Sequence, residues 1–258
     1  MKLIVKEHST SPLVLHGNGT GKSTEVFNKA RDFQFTRKVD KLNSQDFTFI
    51  SWKGGKIPNN EKTLLEKSGD QYGFKVLNLP WNSTGGFWKD SQQKITQTLE
   101  VIDRGIVDTE FVFWLDNSDV FFIDSPQKVY EAFTQKFQNY NFIWNAEKNN
   151  YPTPNHTKWS GSNVSNKVQE LLLDVIEDDN TYPSSFKFMN SGAGFGKTSA
   201  LKDILKYAHL LIENSRVNDQ ALLRIAQRKF EDKVAIDRNC DIFLCCWGVE
   251  SEEIDFVV

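Results

Sequence analysis

Asp116 and Asp119 stand three residues apart in Phe113-Trp114-Leu115-Asp116-Asn117-Ser118-Asp119-Val120-Phe121-Phe122, directly after an apolar run. In a regular strand, residues i and i+3 point to opposite faces, so both carboxylates reach one ligand only if the chain turns between them. Asn117-Ser118 is turn-prone and supplies that turn. The pair then sits at the carboxyl end of a central strand, where open α/β sheets bind their ligands. Two hard anionic oxygens at such a place suit Mg²⁺ or Mn²⁺ bridging a diphosphate. The plain alternative is that Asp116 caps a turn and Asp119 caps the next segment. For an isolated D-x-x-D that reading wins; here the strand Glu110 to Leu115 (EFVFWL) leads straight into the pair.

Two glycine-rich stretches offer different chemistry. His16 to Ser23 (HGNGTGKS) and Ser191 to Thr198 (SGAGFGKT) each approach the phosphate-binding loop G-x-x-x-x-G-K-[ST], but His16 and Ser191 stand where its first glycine belongs. A loop one residue short changes which backbone N–H groups converge on a phosphate. The glycines are expected to mark tight turns. A nucleotide-binding protein or kinase resting on Lys22 or Lys197 is the alternative function.

Carboxylates at a strand end need a sheet, and strand and helix signals alternate along the chain. Leu13–Leu15, Asp46–Trp52 before Lys53-Gly54-Gly55, Phe74–Leu79 before Pro80, Glu110–Leu115, Asn141–Ala146 and Phe186–Ser191 read as strands. Lys62–Tyr72, the stretch Trp88–Asp103 after Gly85-Gly86, Pro126–Phe137, Lys167–Ile176, Thr198–Ile212 and Asp219–Lys229 read as helices, and Asn149–Ser165 as a long loop. The expectation is an α/β fold with a mixed, mainly parallel sheet flanked by helices. The 258 residues fit one domain, with residues 1–45 an N-terminal segment and 46–248 the core.

Composition narrows the partners. A net charge of −3 provides no basic footprint for a nucleic-acid backbone. The 20 Phe and 7 Trp are rings that either fill a core or line a site for flat or cyclic ligands. Cys240, Cys245 and Cys246 lack the spacing of a zinc site or a disulfide framework and fit a reducing compartment. The opening MKLIVKEHSTSP has too short an apolar run for a signal peptide, and no run approaches 18 apolar residues. A soluble cytoplasmic protein with no membrane partner is expected.

The ordered blocks resemble the glycosyltransferase domain of the collagen lysyl hydroxylases and related procollagen sugar transferases, a GT-A fold. That family carries D-x-x-D, then A-E-x-x-x-W-P, L-N-S-G-G-F-I-G, D-D-Q and finally V-H-G-N-G. This chain has Asp116-Asn117-Ser118-Asp119, then Ala146-Glu147-Lys148-Asn149-Asn150-Tyr151-Pro152, Met189-Asn190-Ser191-Gly192-Ala193-Gly194-Phe195-Gly196 and Asn218-Asp219-Gln220. His16-Gly17-Asn18-Gly19 supplies the last block, but ahead of the others. The resemblance implies transfer of a hexosyl or pentosyl group from a nucleoside diphosphate sugar, a UDP-sugar first among them, to an acceptor hydroxyl on a protein, a glycan or a modified nucleobase.

It also implies Mn²⁺ or Mg²⁺ held by Asp116, Asp119 and His16, with Asn18 and Gly19 near the donor phosphates. Trp52 would lie near the base and ribose, and Asn117, Ser191 and Gly192 would border the donor. Asn190, Asp219 and Gln220 are the implied catalytic residues, and a helix N-cap is the plain alternative for Asp219. Ser118 stands where the family has an aromatic, so base stacking has to come from another residue. Tyr151 replaces the family's Trp before Pro, and the aspartate run is reduced to Asp219. The order of the blocks implies a circular permutation, which places Met1 and Val258 on adjoining strands. A non-catalytic sugar- or nucleotide-binding module is the remaining alternative.

Overall fold

The computed structural model describes residues 2–19, 21, 24–36, 47–54, 61–82, 87–153, 166–212 and 217–257. Its strands are β1 (Lys2–Val5), β2 (Val14–His16), β3 (Phe47–Gly54), β4 (Val76–Trp81), β5 (Phe111–Leu115), β6 (Val120–Phe122), β7 (Phe142–Glu147), β8 (Phe188–Lys197), β9 (Val234–Ile236), β10 (Phe243–Cys245) and β11 (Ile254–Val257). The helices are α1 (Glu25–Thr36), α2 (Leu64–Tyr72), α3 (Phe87–Asp103), α4 (Pro126–Lys136), α5 (Asn166–Asn180), α6 (Thr198–Ile212) and α7 (Asp219–Lys229).

Six strands form the main sheet in the order β4-β3-β5-β8-β7-β9. Pairing is parallel except along β8, which runs antiparallel to both β5 and β7. The mixed, mainly parallel sheet flanked by helices is therefore the one expected. The pleat explains why β5 is apolar throughout: successive side chains point to opposite faces, and both faces are covered. Val112 and Trp114 join a core with Ile95, Ile102, Leu205 and Leu222 from α3, α6 and α7. Phe113 and Leu115 join the other, with Leu65, Phe122 and Val129 from α2, β6 and α4. A smaller sheet, β10-β2-β6, brings the segment carrying His16 beside the turn after β5. β1 and β11 pair antiparallel, from Lys2↔Val257 to Val5↔Ile254.

Four expectations need correction. Ser191–Thr198 is not a turn: the strand expected over Phe186–Ser191 begins at Phe188 and continues to Lys197. Its glycines alternate because bulky rings lie across that face. A Cβ at Gly192 would meet His16, and one at Gly194 would meet Phe142 and Trp144. A buried strand offers no phosphate loop, so the kinase reading loses Lys197. Pro80 does not end its strand, which runs to Trp81; β4 is an edge strand, where a residue without an N–H is tolerated. β3 likewise continues through Lys53 to Gly54. Helix α1 was not foreseen, because its buried residues Val26, Phe27, Ala30 and Gln34 are scattered among charged ones.

The His16 stretch does turn, with Gly21 N–H donating to Asn18 O at 2.8 Å. Met1, Thr20, Lys22, Ser23, Asp46, Gly55, Gly85-Gly86, residues 154–165 and Val258 lie outside the described residues. No helix among the described residues is long and apolar enough to cross a membrane. Cys240, Cys245 and Cys246 are free and buried.

Candidate metal centre

β2 pairs antiparallel with β6, setting His16 opposite Val120, one residue beyond Asp119. Gly17 N–H donates to Asp119 O at 2.7 Å, and Asp116 N–H donates to Gly192 O at 2.7 Å. These bonds fix both ends of the acidic turn, one to the His16 strand and the other to β8. A register shift between Trp144 and Asn145 leaves Ser191, Gly192 and Ala193 of β8 without partners on β7, and in that irregular stretch Gly192 lies flat against the imidazole. A Cβ there would come within 2.0 Å of His16 Cε1.

His16, Asp116 and Asp119 thus converge although about a hundred residues of sequence separate His16 from the aspartates. His16 Nε2 lies 3.7 Å from Asp116 Oδ2 and 3.8 Å from Asp119 Oδ1. One ligand atom from each fits within 4.8 Å of the others. The imidazole is 1% exposed, and its Nε2 has no hydrogen-bond partner. An unpaired buried polar atom is costly, and a cation shared with the two carboxylates satisfies it. On its other side, Nδ1 lies 3.4 Å from the Asn145 side-chain nitrogen, while Asn145 Oδ1 has no partner. A half-turn of that amide lets Oδ1 accept from Nδ1–H and leaves the Nε2 lone pair toward the carboxylates. Metal-ligating histidines are usually oriented through their second nitrogen in this way. A neutral imidazole with two carboxylates is a donor set that fits Mn²⁺ or Mg²⁺.

A fixed positive charge adjoins the triad. Lys94 Nζ on α3 donates to Asp116 Oδ1 at 2.6 Å and lies 3.5 Å from Asp219 Oδ2. Burial disfavours its ammonium, but Asp116 and then Asp219 outweigh burial and hold the Lys94 pKa above its ordinary value. Beside it opens a cavity of about 170 Å³ lined by Trp52, Trp81, Lys94, Asp116, Asn117, Ser118 and Asp119. Trp52 packs on Trp114 at 4.4 Å between ring centroids and has an unpartnered indole N–H. Asn117 borders the cavity; its Nδ2 donates to Asn78 Oδ1 at 2.5 Å, while its own Oδ1 has no partner.

Glu147 organises the remaining implied residues. Its fully buried carboxylate accepts from Asn190 Nδ2 at 3.0 Å, Gln220 Nε2 at 2.6 Å and Asn18 Nδ2 at 3.3 Å. Ser191 Oγ donates to Asp219 Oδ2 at 3.0 Å. The N-cap of α7 is Asn218, so Asp219 does not cap the helix by its side chain. Gly19 stands apart from this cluster, against the ring of Trp247.

Burial pushes the Glu147 carboxyl up to about 7, against the pull of its amide donors and Arg224. An acid raised in the folded state favours folding while protonated and loses that advantage as pH rises from its ordinary value toward the folded one. Between pH 4.5 and pH 7, Glu147 should therefore cost the native state up to about 3 kcal/mol. Urea unfolding across that window should show Glu147→Gln gaining stability over the wild type with rising pH. A constant difference would contradict the buried acid.

Behind this cluster, Arg224 is fully buried and donates to Asp179 Oδ2 at 2.9 Å, Asn150 Oδ1 at 3.1 Å and Tyr151 O at 3.3 Å. It ties α7 to the chain following Glu147. Removing one partner of a buried ion pair typically costs about 3–5 kcal/mol. Asp179 keeps Arg238 at 2.8 Å, so Arg224→Met should fall at the lower end, near 3 kcal/mol by chemical denaturation.

Lys94, Trp81 and the hub role of Glu147 were not singled out from the sequence. Lys94 stands one residue before the buried Ile95 on an amphipathic helix, and nothing local distinguishes it from a surface lysine. Glu147 was part of a matched block, but its burial depends on amides distant in sequence. A larger cavity of about 650 Å³ lies elsewhere, beside β9. Its arginines are spent internally, Arg228 on Asp178 and Glu231, and Arg238 on Asp179.

The molecule is thus a mixed α/β protein with a His-Asp-Asp group that could bind a metal. No protein-family model matches the chain, and no curated protein matches it. Among solved structures, it is similar to the crystal structure of mouse xyloside xylosyltransferase 1 in its apo form. The identity is 10%, the match covers 86% of this chain and 82% of that one, and the TM-score is 0.40. A likeness of that degree carries no activity from one protein to the other.

Proposed function

We propose that the protein is a metal-dependent glycosyltransferase that moves a sugar from a nucleoside diphosphate sugar, a UDP-sugar in the first instance, to an acceptor hydroxyl. The observation carrying this reading is the buried, unpartnered Nε2 of His16 beside Asp116 and Asp119, at the edge of a cavity walled by two tryptophans. When bound, Mn²⁺ or Mg²⁺ supplies positive charge that offsets the charge developing on a departing diphosphate.

The residues around it divide the donor among them. Trp52 and Trp81 offer aromatic surface for the base, and Trp81 takes over the stacking that Ser118 cannot provide. At about 170 Å³, the cavity is smaller than the ~300 Å³ usual for a whole ligand, so it takes one part of the donor. Lys94 holds a second positive charge beside the diphosphate position, with Asn18 on the side of His16. Asn190, Ser191 and Gly192 border the sugar, Asp219 accepts hydrogen bonds from its hydroxyls, and Gln220, whose amide is bonded to Glu147 and Tyr151 O, positions this group of residues. A protein, a glycan and a modified nucleobase are the acceptors to test.

The reading includes the circular permutation. Its support is the antiparallel pairing of β1 with β11, together with the arrival of His16 at two aspartates a hundred residues further on. The test is release of the nucleoside diphosphate from a panel of nucleotide sugars, with and without Mn²⁺. Metal-dependent release of UDP is the expected outcome. ATP turnover would instead support a kinase, and no turnover with retained nucleotide binding would support a binding module.

A further inference from the structure

Two half-buried rings stand next to this cluster with no part in holding the donor. Trp247 follows β10 at the point where Cys246 N–H donates to His16 O at 2.8 Å, so its backbone is attached to the strand that carries the imidazole. One side of its ring lies on Gly19; a Cβ there would stand 3.5 Å from the indole, an ordinary contact distance. The Tyr151 ring lies 6.4 Å from it between centroids, at 58°. Both rings are half-buried, so each keeps accessible surface.

The pair is held firmly. Tyr151 O accepts from Gln220 Nε2 at 2.6 Å and from the buried Arg224 Nη1 at 3.3 Å. Asn149 Nδ2 donates to Trp247 O at 3.1 Å, adding an amide at the edge of the corner. Burial, followed by the Asp219 charge, pushes the Tyr151 phenol up to about 12, so it remains a neutral hydroxyl.

We propose that Trp247 and Tyr151 form a stacking corner for a sugar ring of the acceptor, so that the acceptor of the transferase proposed above is a carbohydrate. A pyranose presents C–H groups on one face and hydroxyls at its rim, matching aromatic surface flanked by polar groups. A planar base is held best between parallel faces, and rings at 58° form a corner instead.

The experiment is saturation-transfer NMR on the protein with the diamagnetic Mg²⁺ and UDP, using methyl β-galactoside, methyl β-glucoside and methyl β-xyloside as probes. An unglycosylated hydroxylysine peptide and a single-stranded oligonucleotide serve as comparisons. Saturation of the ring C–H protons of at least one glycoside is expected in the wild type, reduced about tenfold in Trp247→Ala and largely restored in Trp247→Phe. Equal saturation in Trp247→Ala, or saturation confined to the peptide or the oligonucleotide, would overturn the proposal. Because this readout needs no turnover, failure of the transferase reading appears separately, as absence of metal-dependent UDP release.

Discussion

Replacing Asp116 or Asp119 by alanine should lower metal-dependent donor turnover by about a hundredfold or more and leave the fold standing. Preorganised electrostatic stabilisation of a leaving group is worth about that much per group in comparable sites. The consequences for stability should differ between the two. Asp119 has a neighbouring carboxylate in Asp116 and no bond to Lys94, so its removal relieves repulsion and stability holds or rises. Asp116 is hydrogen-bonded to Lys94 at 2.6 Å; without it, the ammonium retains Asp219 at 3.5 Å, and a modest loss is expected. Melting curves with and without Mn²⁺ separate fold from site, since a ligand that binds only the native state raises the melting temperature. The wild type should gain stability from Mn²⁺, and both variants should lose most of that gain. Turnover at the wild-type rate in both would remove the metal assignment.

Gly192→Ala should damage the same centre from the other side. The added Cβ would lie 2.0 Å from Cε1, 2.5 Å from Nε2 and 2.8 Å from Nδ1, so it meets the imidazole itself and not the tip of a flexible chain. The ring is buried and flanked by Asn145, which leaves it little room to retreat without moving β2 or β8. Overpacking of this kind costs about 1–3 kcal/mol. Displacement of an orienting contact at a metal ligand costs about 10- to 100-fold in affinity. Chemical unfolding and Mn²⁺ titration calorimetry measure the two separately. An alanine variant that binds Mn²⁺ like the wild type would show that His16 is not a ligand.

The strand before the acidic pair was legible because its burial on both faces leaves a local mark: apolar residues without alternation, ended by Asp116. The helices Pro126–Lys136, Thr198–Ile212 and Asp219–Lys229 were legible for the same kind of reason, since a cap or an apolar stripe is written in adjacent residues. β8 was misread because glycine signals a turn when considered alone. Here the glycines face His16, Phe142 and Trp144, and no sequence window contains both sides of that contact. β6 is three residues long and exists only through its pairing with β2. Lys94 and Glu147 were missed because their chemistry comes from distant partners, Asp116 and Asp219 for one and Asn18, Asn190 and Gln220 for the other. His16 was reached only through the resemblance of its HGNG block, for nothing in the local sequence connects it to Asp116.

A single cation shared by His16, Asp116 and Asp119 is the centre of the proposed function. Anomalous diffraction from a crystal grown with Mn²⁺ and UDP tests it directly. One strong manganese peak is expected within about 2.0–2.3 Å of His16 Nε2 and of a carboxylate oxygen from each of Asp116 and Asp119. A manganese peak away from His16, or no peak at saturating Mn²⁺ with UDP bound, would contradict it.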